Sequence, residues 1–162
     1  MENLKHDSPR GSIVALVTPM TDGGALDREA WRGLLDLHAE AGTDAVVIAG
    51  TTGESATLTV EERDWLLEAA LERLGEARRV IAGTGGAGTD ATIRQSRRAA
   101  AIGAGAVLVV TPYYNRPPQR GLAAHFRAVA DACEVPVILY NVPSRTSTDL
   151  KPETTASLAD HG

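Results

Sequence analysis

Residues 44–83 read DAVVIAGTTGESATLTVEERDWLLEAALERLGEARRVIAG, and the change of pattern within them decides the fold. Asp44–Gly50 is a short apolar run, three of its seven residues β-branched, that stops on glycine; it predicts a strand. The loop GTTGESATL follows. Thr59 and Glu62 then stand three residues apart at the start of a helical pattern. That is the spacing of a capping box, in which each side chain satisfies an amide the first helical turn leaves unpaired. The helix it opens carries Trp65, Leu66, Ala69, Ala70 and Leu74 on one broad face. Arg79–Gly83 is the next strand. A strand, a crossover helix and a second strand at this spacing form a parallel βαβ unit.

The same alternation runs outward in both directions. Upstream, Ser12–Thr18 (SIVALVT) is a strand ended by Pro19 and the turn residues Asp22, Gly23 and Gly24. Asp27 reads as an N-cap for a helix carrying Trp31, Leu34, Leu35 and His38, which Gly42 ends. Downstream, a glycine-rich stretch leads into a helix over about 91–102, then a strand at Ala106–Thr111. After the loop TPYYNRPPQRG, a helix over about 122–132 and a strand at Val135–Tyr140 follow. The loop NVPSRTSTD opens a last short helix with Pro152 in its first turn, where a missing N–H is harmless. Five consecutive βα units result. Their strands are continuous apolar runs, as expected of parallel strands covered by helices. An open doubly wound sheet and a closed barrel both use such units, and periodicity does not choose between them.

Composition bounds the rest. The chain has 162 residues, 43% hydrophobic and 23% charged, enough for one domain with a sizeable core. Its net charge of −5, mixed along the chain, offers no basic footprint for nucleic acid. No apolar run approaches the roughly 18 residues of a membrane span. Residues 1–10 (MENLKHDSPR) are polar, lack a signal-peptide core and read as a loose tail before a single partial βα domain over 11–162. The single cysteine, Cys133, fits a reducing cytoplasm and a structural role. His6, His38, His125 and His161 form no metal-ligand pattern, and no metal or cofactor is expected. His38 and His125 are expected on helix surfaces.

In βα proteins function collects in the loops after strand C-termini. Four of these five loops carry hydroxyl side chains directly at the strand end. Thr51, Thr52 and Gly53 can hold a small carboxylate through hydroxyl and backbone N–H groups, or can merely organise an ST-turn. Tyr140, ending the fifth strand, suits a proton shuttle or an amphipathic core edge. All three tyrosines, Tyr113, Tyr114 and Tyr140, lie in loops or at a strand end, which favours function. Arg145 can grip a carboxylate in a bidentate fork or pair with Asp149 in solvent. Gly83-Thr84-Gly85-Gly86-Ala87-Gly88 matches G-x-G-x-x-G formally. It lies in the wrong unit for a dinucleotide site, and no acidic residue ends the next strand. Tight turning and close packing explain its glycines.

Taken together, GSIVALVTPM, GTTGESATLTVEE, VIAGTG, TPYYNRPPQRGLAAHF and VPVILYNVPSRT resemble the dihydrodipicolinate synthase family, in order and from about Gly11 to the C-terminus. The TTGE piece is shared across the pyruvate-dependent class I aldolases; the pair TPYYN and YNVPSRT is more specific to the synthase branch. The resemblance implies a (β/α)8 TIM barrel, present here through unit five, with pyruvate and aspartate-4-semialdehyde as substrates on the route to lysine. It implies a lysine Schiff base and an enamine. It implies that Thr52 binds the pyruvate carboxylate, with Gly50 and Gly53 allowing close approach. Thr51, Tyr114 and Tyr140 are implied as a hydroxyl relay in which Tyr114 reaches a neighbouring subunit. Arg145 is implied to bind the semialdehyde carboxylate, and the assembly to be a homo-oligomeric dimer of dimers.

Two departures stand out. The family lysine sits on the next strand, past Gly162; the only lysines here are Lys5, in the tail, and Lys151, at the start of the preceding helix. The 162 residues alone are therefore expected to be inactive, and five unclosed strands to be unstable or to pair with another fragment. Lysine-inhibited members carry His, Asn and Glu where Val60, Ala87 and Ala91 stand, so feedback by lysine is expected to be weak or absent. Another 2-oxo acid aldolase of the superfamily and a non-catalytic assembly piece are the alternative readings.

Overall fold

The computed structural model describes residues 10–75, 79–159 and 161. The expected tail therefore lies, apart from Arg10, outside the described residues. Five strands, β1 (Ile13–Ala15), β2 (Ala45–Ile48), β3 (Val80–Gly83), β4 (Ala106–Val110) and β5 (Val137–Tyr140), alternate with helices α1 (Arg28–Glu40), α2 (Val60–Leu74), α3 (Thr89–Ile102) and α4 (Gln119–Ala132). After β5 come a four-residue helix, α5 (Pro143–Thr146), and α6 (Pro152–Ala159). All strand pairs are parallel and the sheet order is β1-β2-β3-β4-β5. A doubly wound sheet reverses its strand order at a switch point. Here every strand pairs with its sequence neighbour, so the fold is an incomplete (β/α)8 barrel, curled and open between β1 and β5.

The local signals act as expected. Asp27 Oδ1 accepts from Ala30 N at 2.9 Å and starts α1. Both bonds of the capping box form: Glu62 N donates to Thr59 Oγ1 at 3.2 Å, and Thr59 N to Glu62 Oε2 at 2.8 Å. Gly75, at φ +70°, ends α2 in the left-handed region that glycine enters without cost.

The two faces of the sheet bury different residues, because side chains alternate along a strand. Val46, Ile48, Val80, Ala82, Val107 and Val109 face outward into the main core, against Trp31, Leu35, Leu66, Leu67, Leu122 and Phe126 of the helices. Ala45, Val47, Ile81 and Ala106 form a second buried cluster on the inner face, with Leu108 and Ile138 against it. On β1 the inner face is open: Ile13 is 41% exposed, and Val17 just beyond it 52%. Among the described residues no helix is long and apolar enough to cross a membrane.

The departures have local causes. Pro136 lacks an N–H, so β5 starts at Val137, although the Pro136 carbonyl still accepts from Val107 N. The helices α3 and α4 start two and three residues earlier than their apolar stripes suggest. The expectation that His125 lies on a helix surface is wrong. It is 4% exposed, its Nδ1 bonds Thr89 Oγ1 at 2.9 Å, and burial lowers its pKa. His38 is half-buried and bonds Thr43 Oγ1 through Nδ1.

Candidate active site

Because the strands are parallel, the loops after β1 to β5 all emerge at one end of the sheet. The loop after β2 is shaped by backbone rather than by side chains. Ala49, at φ +51°, turns the chain out of the strand. Glu54 N then donates to Thr51 O, and Ser55 N to Gly50 O, closing a tight turn around Thr51, Thr52 and Gly53. A left-handed alanine is costly and persists only where the surroundings hold it. One support is Thr18, from the loop after β1, whose buried hydroxyl donates to the Gly53 carbonyl at 2.8 Å. A Cβ on Gly53 would meet Leu16 O at 3.0 Å, so a side chain there would push against the backbone just past β1. Arg63 of α2 is the other support, donating to Ser55 O and to Gln95 Oε1. Its burial lowers its pKa. Neither Thr18 nor Arg63 stood out in the sequence, because each touches this loop through main-chain carbonyls, which leave no residue-type pattern.

In this turn Thr51 is half-buried and Thr52 exposed, and neither hydroxyl has a hydrogen-bond partner among the described residues. Tyr140 ends β5 in register with Val110. It is two residues on from Ile138, which packs in the inner cluster, so alternation puts its side chain on the inner face. Thr51 and Tyr140 thus share one end of the half-barrel, three strand spacings apart, which is roughly 14 Å along the sheet. Among the described residues no direct hydrogen bond links the hydroxyls of Thr51, Tyr114 and Tyr140. Tyr114, at φ +70°, points away from the fold and is 93% exposed.

Arg145 lies on α5 and is exposed. The solvated pair with Asp149 considered for it does not form; Asp149 Oδ1 accepts from Asn141 Nδ2 at 2.9 Å. Neighbouring loops are tied together: Asn115 Nδ2 donates to Ala87 O across the β4 and β3 loops, and Arg116 Nε to Ser147 O across the β4 and β5 loops. The glycine-rich stretch also has a packing cause. A Cβ on Gly83 would stand 2.2 Å from Ala49 O, and one on Gly85 2.3 Å from Val110 N. Lys151 is exposed at the start of α6, its backbone N held by Gln119 Oε1 in the helical ring. Among the described residues no three His, Cys, Asp or Glu side chains gather as a metal site.

The family model described as Dihydrodipicolinate synthetase family matches residues 8–161. A 4-hydroxy-tetrahydrodipicolinate synthase of Stenotrophomonas maltophilia (strain K279a) is 58% identical over 151 residues, covering 93% of this chain and 51% of that protein. One from Xylella fastidiosa is 57% identical, covering 93% and 50%. Among solved structures, the chloride-inhibited dihydrodipicolinate synthase of Acinetobacter baumannii complexed with pyruvate superposes with TM-score 0.91 at 44% identity, covering 94% of this chain and 52% of that one. The Aquifex aeolicus enzyme gives TM-score 0.86 at 47% identity, covering 92% and 50%. The chain spans about half the length of the relatives it matches.

Proposed function

Because the chain belongs to the dihydrodipicolinate synthetase family, we propose that it supplies the first five βα units of a cytoplasmic class I aldolase that condenses pyruvate with aspartate-4-semialdehyde. The observation that supports this reading is the placement of the Thr51–Gly53 turn and of Tyr140, on the inner face, at the same end of a parallel half-barrel. A pocket for a small 2-oxo acid needs a carboxylate cradle and an acid/base group on opposite walls, and these two elements stand three strands apart.

In the proposed reaction Thr52 and the turn's N–H groups hold the pyruvate carboxylate, with Gly50 allowing close approach and Gly53 seating the turn on the Leu16 carbonyl. A lysine amine from the next strand, outside these 162 residues, attacks the ketone and expels water to give an imine. Loss of a methyl proton gives the enamine, which bonds to the aldehyde carbon while the aldehyde oxygen takes a proton. Tyr140 is the proton carrier nearest the imine. Thr51 and the Tyr114 of a neighbouring subunit complete the relay, which makes a dimer the smallest working unit and a dimer of dimers the expected assembly. The exposure of Tyr114 supports that role. Arg145 binds the carboxylate of the aldehyde.

The test is borohydride trapping with pyruvate. A chimera joining residues 1–162 to the C-terminal half of the Stenotrophomonas maltophilia relative is expected to take up one reduced adduct per chain, on a lysine in the appended half. The 162-residue chain is expected to take up none. Labelling of Lys5 or Lys151, or none in a folded chimera, would overturn the reading.

A further inference from the structure

We propose that Asn141 is a positioning residue: it closes the loop after β5 and so presents the Arg145 guanidinium to the aldehyde's carboxylate. The assignment of that carboxylate to Arg145 rests on the reading above. Asn141 Oδ1 accepts from Leu150 N at 3.1 Å, and its Nδ2 donates to Leu150 O at 3.3 Å and to Asp149 Oδ1 at 2.9 Å. The side-chain amide thus pairs with both sides of a main-chain residue nine positions on, as an adjacent strand would, and cinches a ten-residue loop at its neck.

Side chains from other elements brace the same loop. Gln119, at the start of α4, donates to Asp149 O at 2.7 Å, and its Oε1 accepts from Lys151 N and Thr154 Oγ1. Arg116 donates to Ser147 O at 3.2 Å. Within the loop, Thr146 Oγ1 donates to Thr148 O at 2.8 Å. Thr146, Thr148 and Leu150 are buried, while Arg145, Ser147 and Asp149, which alternate with them, are exposed. Ser147 sits at φ +54°, a conformation that needs outside support. Among the described residues no hydrogen bond or ion pair engages the Arg145 guanidinium, which leaves it available to a ligand.

The physical sense of this is preorganisation. Ordering a residue's backbone costs about 1–2 kcal/mol. If the fold fixes the loop in advance, that cost is not charged against substrate binding. The pyruvate cradle lies on a different loop, so Asn141 acts on one substrate and not the other.

Two readouts test it. In the folded chimera, N141A is expected to raise trypsin cleavage after Arg145 roughly tenfold over cleavage after Arg127, the effect of the lost hydrogen bonds. N141D is expected to raise it further, because a carboxylate would then face Asp149, and adding D149N is expected to restore protection. In the chimera, N141A is expected to lower the kcat/KM ratio of aspartate-4-semialdehyde over an uncharged aldehyde of the same length, by roughly tenfold on the same estimate. The KM for pyruvate should not move. Wild-type cleavage in both N141A and N141D overturns the proposal, as does an equal fall for both aldehydes. A ratio lowered by R145A but not by N141A overturns this proposal alone. A ratio that R145A leaves unchanged overturns the reading of Arg145 itself, whatever Asn141 does to the loop.

Discussion

Gly83→Ala tests whether backbone contact between strand ends shapes the site. The added Cβ would stand 2.2 Å from Ala49 O, 2.7 Å from its carbonyl carbon and 2.9 Å from Gly50 N. A carbon meets a carbonyl oxygen at about 3.3–3.6 Å, so roughly 1 Å of movement is required. The obstructing atoms are main chain and cannot rotate away. The ladder pairing Ile48 with Ala82 holds the two strands together just below. Overpacking of this kind costs about 1–3 kcal/mol, and rigid partners put it at the upper end. Thr51 follows two residues after Ala49, so the same shift moves the turn proposed to hold the carboxylate; a displacement of about 1 Å costs on the order of a hundredfold in rate. Gly86→Ala is the control within the same stretch. Its Cβ would find Thr92 Oγ1 at 3.7 Å, an ordinary contact, and its φ is not positive. It should be neutral or stabilise by about 0.4–1 kcal/mol. Thermal melts of the chimera read both, at roughly 2–4 °C per kcal/mol. Gly83→Ala is expected to melt about 5–10 °C lower on that scale. If its midpoint matches the parent's, or if Gly86→Ala is equally harmful, the steric reasoning is refuted and a ligand-binding reason for these glycines regains its place.

Thr18→Val keeps the shape but strands the buried Gly53 carbonyl, and should cost about 1–3 kcal/mol in urea titrations, with Thr18→Ser close to wild type. Tyr140→Phe in the chimera should lower kcat on the order of 10²–10⁴-fold with imine trapping slowed but lysine still labelled; unchanged kcat removes Tyr140 from the chemistry. His125 has a folded pKa depressed by burial. Its contribution is intact above the unfolded value near 6.5 and is lost as pH falls through that value toward the folded one. His125→Gln should therefore flatten the stability–pH curve below about pH 6.5; an unchanged slope there would contradict the burial. Calorimetry on the chimera should show no micromolar binding of lysine, since Val60, Ala87 and Ala91, where the resemblance puts the lysine contacts, carry no polar side chain.

What could be read from the sequence follows the range of the interactions concerned. The capping box of Thr59 and Glu62 and the cap at Asp27 act over three residues, so their residue types announce them. Strand order depends on which apolar runs pair across thirty residues, and no local pattern carries it; there the resemblance, not periodicity, anticipated the barrel. Four-residue α5 went unread because Pro143 at its first position looks the same in a turn as in a helix start. His125 is different, because its position was legible. Leu122, Phe126 and Val129 mark the buried face of α4, and His125 lies three residues after Leu122 and four before Val129, on that same stripe. Residue type outweighed spacing in placing it on the surface. The β5 loop marks the other limit. Asn141, Gln119 and Arg116 read individually as loop amides and a surface cation. Their bonds span 8 to 32 positions and, apart from the one to the Asp149 carboxylate, end on backbone atoms. The groups expected to touch substrate were thus visible as side-chain chemistry at strand ends, while the groups that hold them in place were not. Substitutions of that second set should disturb binding selectively without abolishing the chemistry.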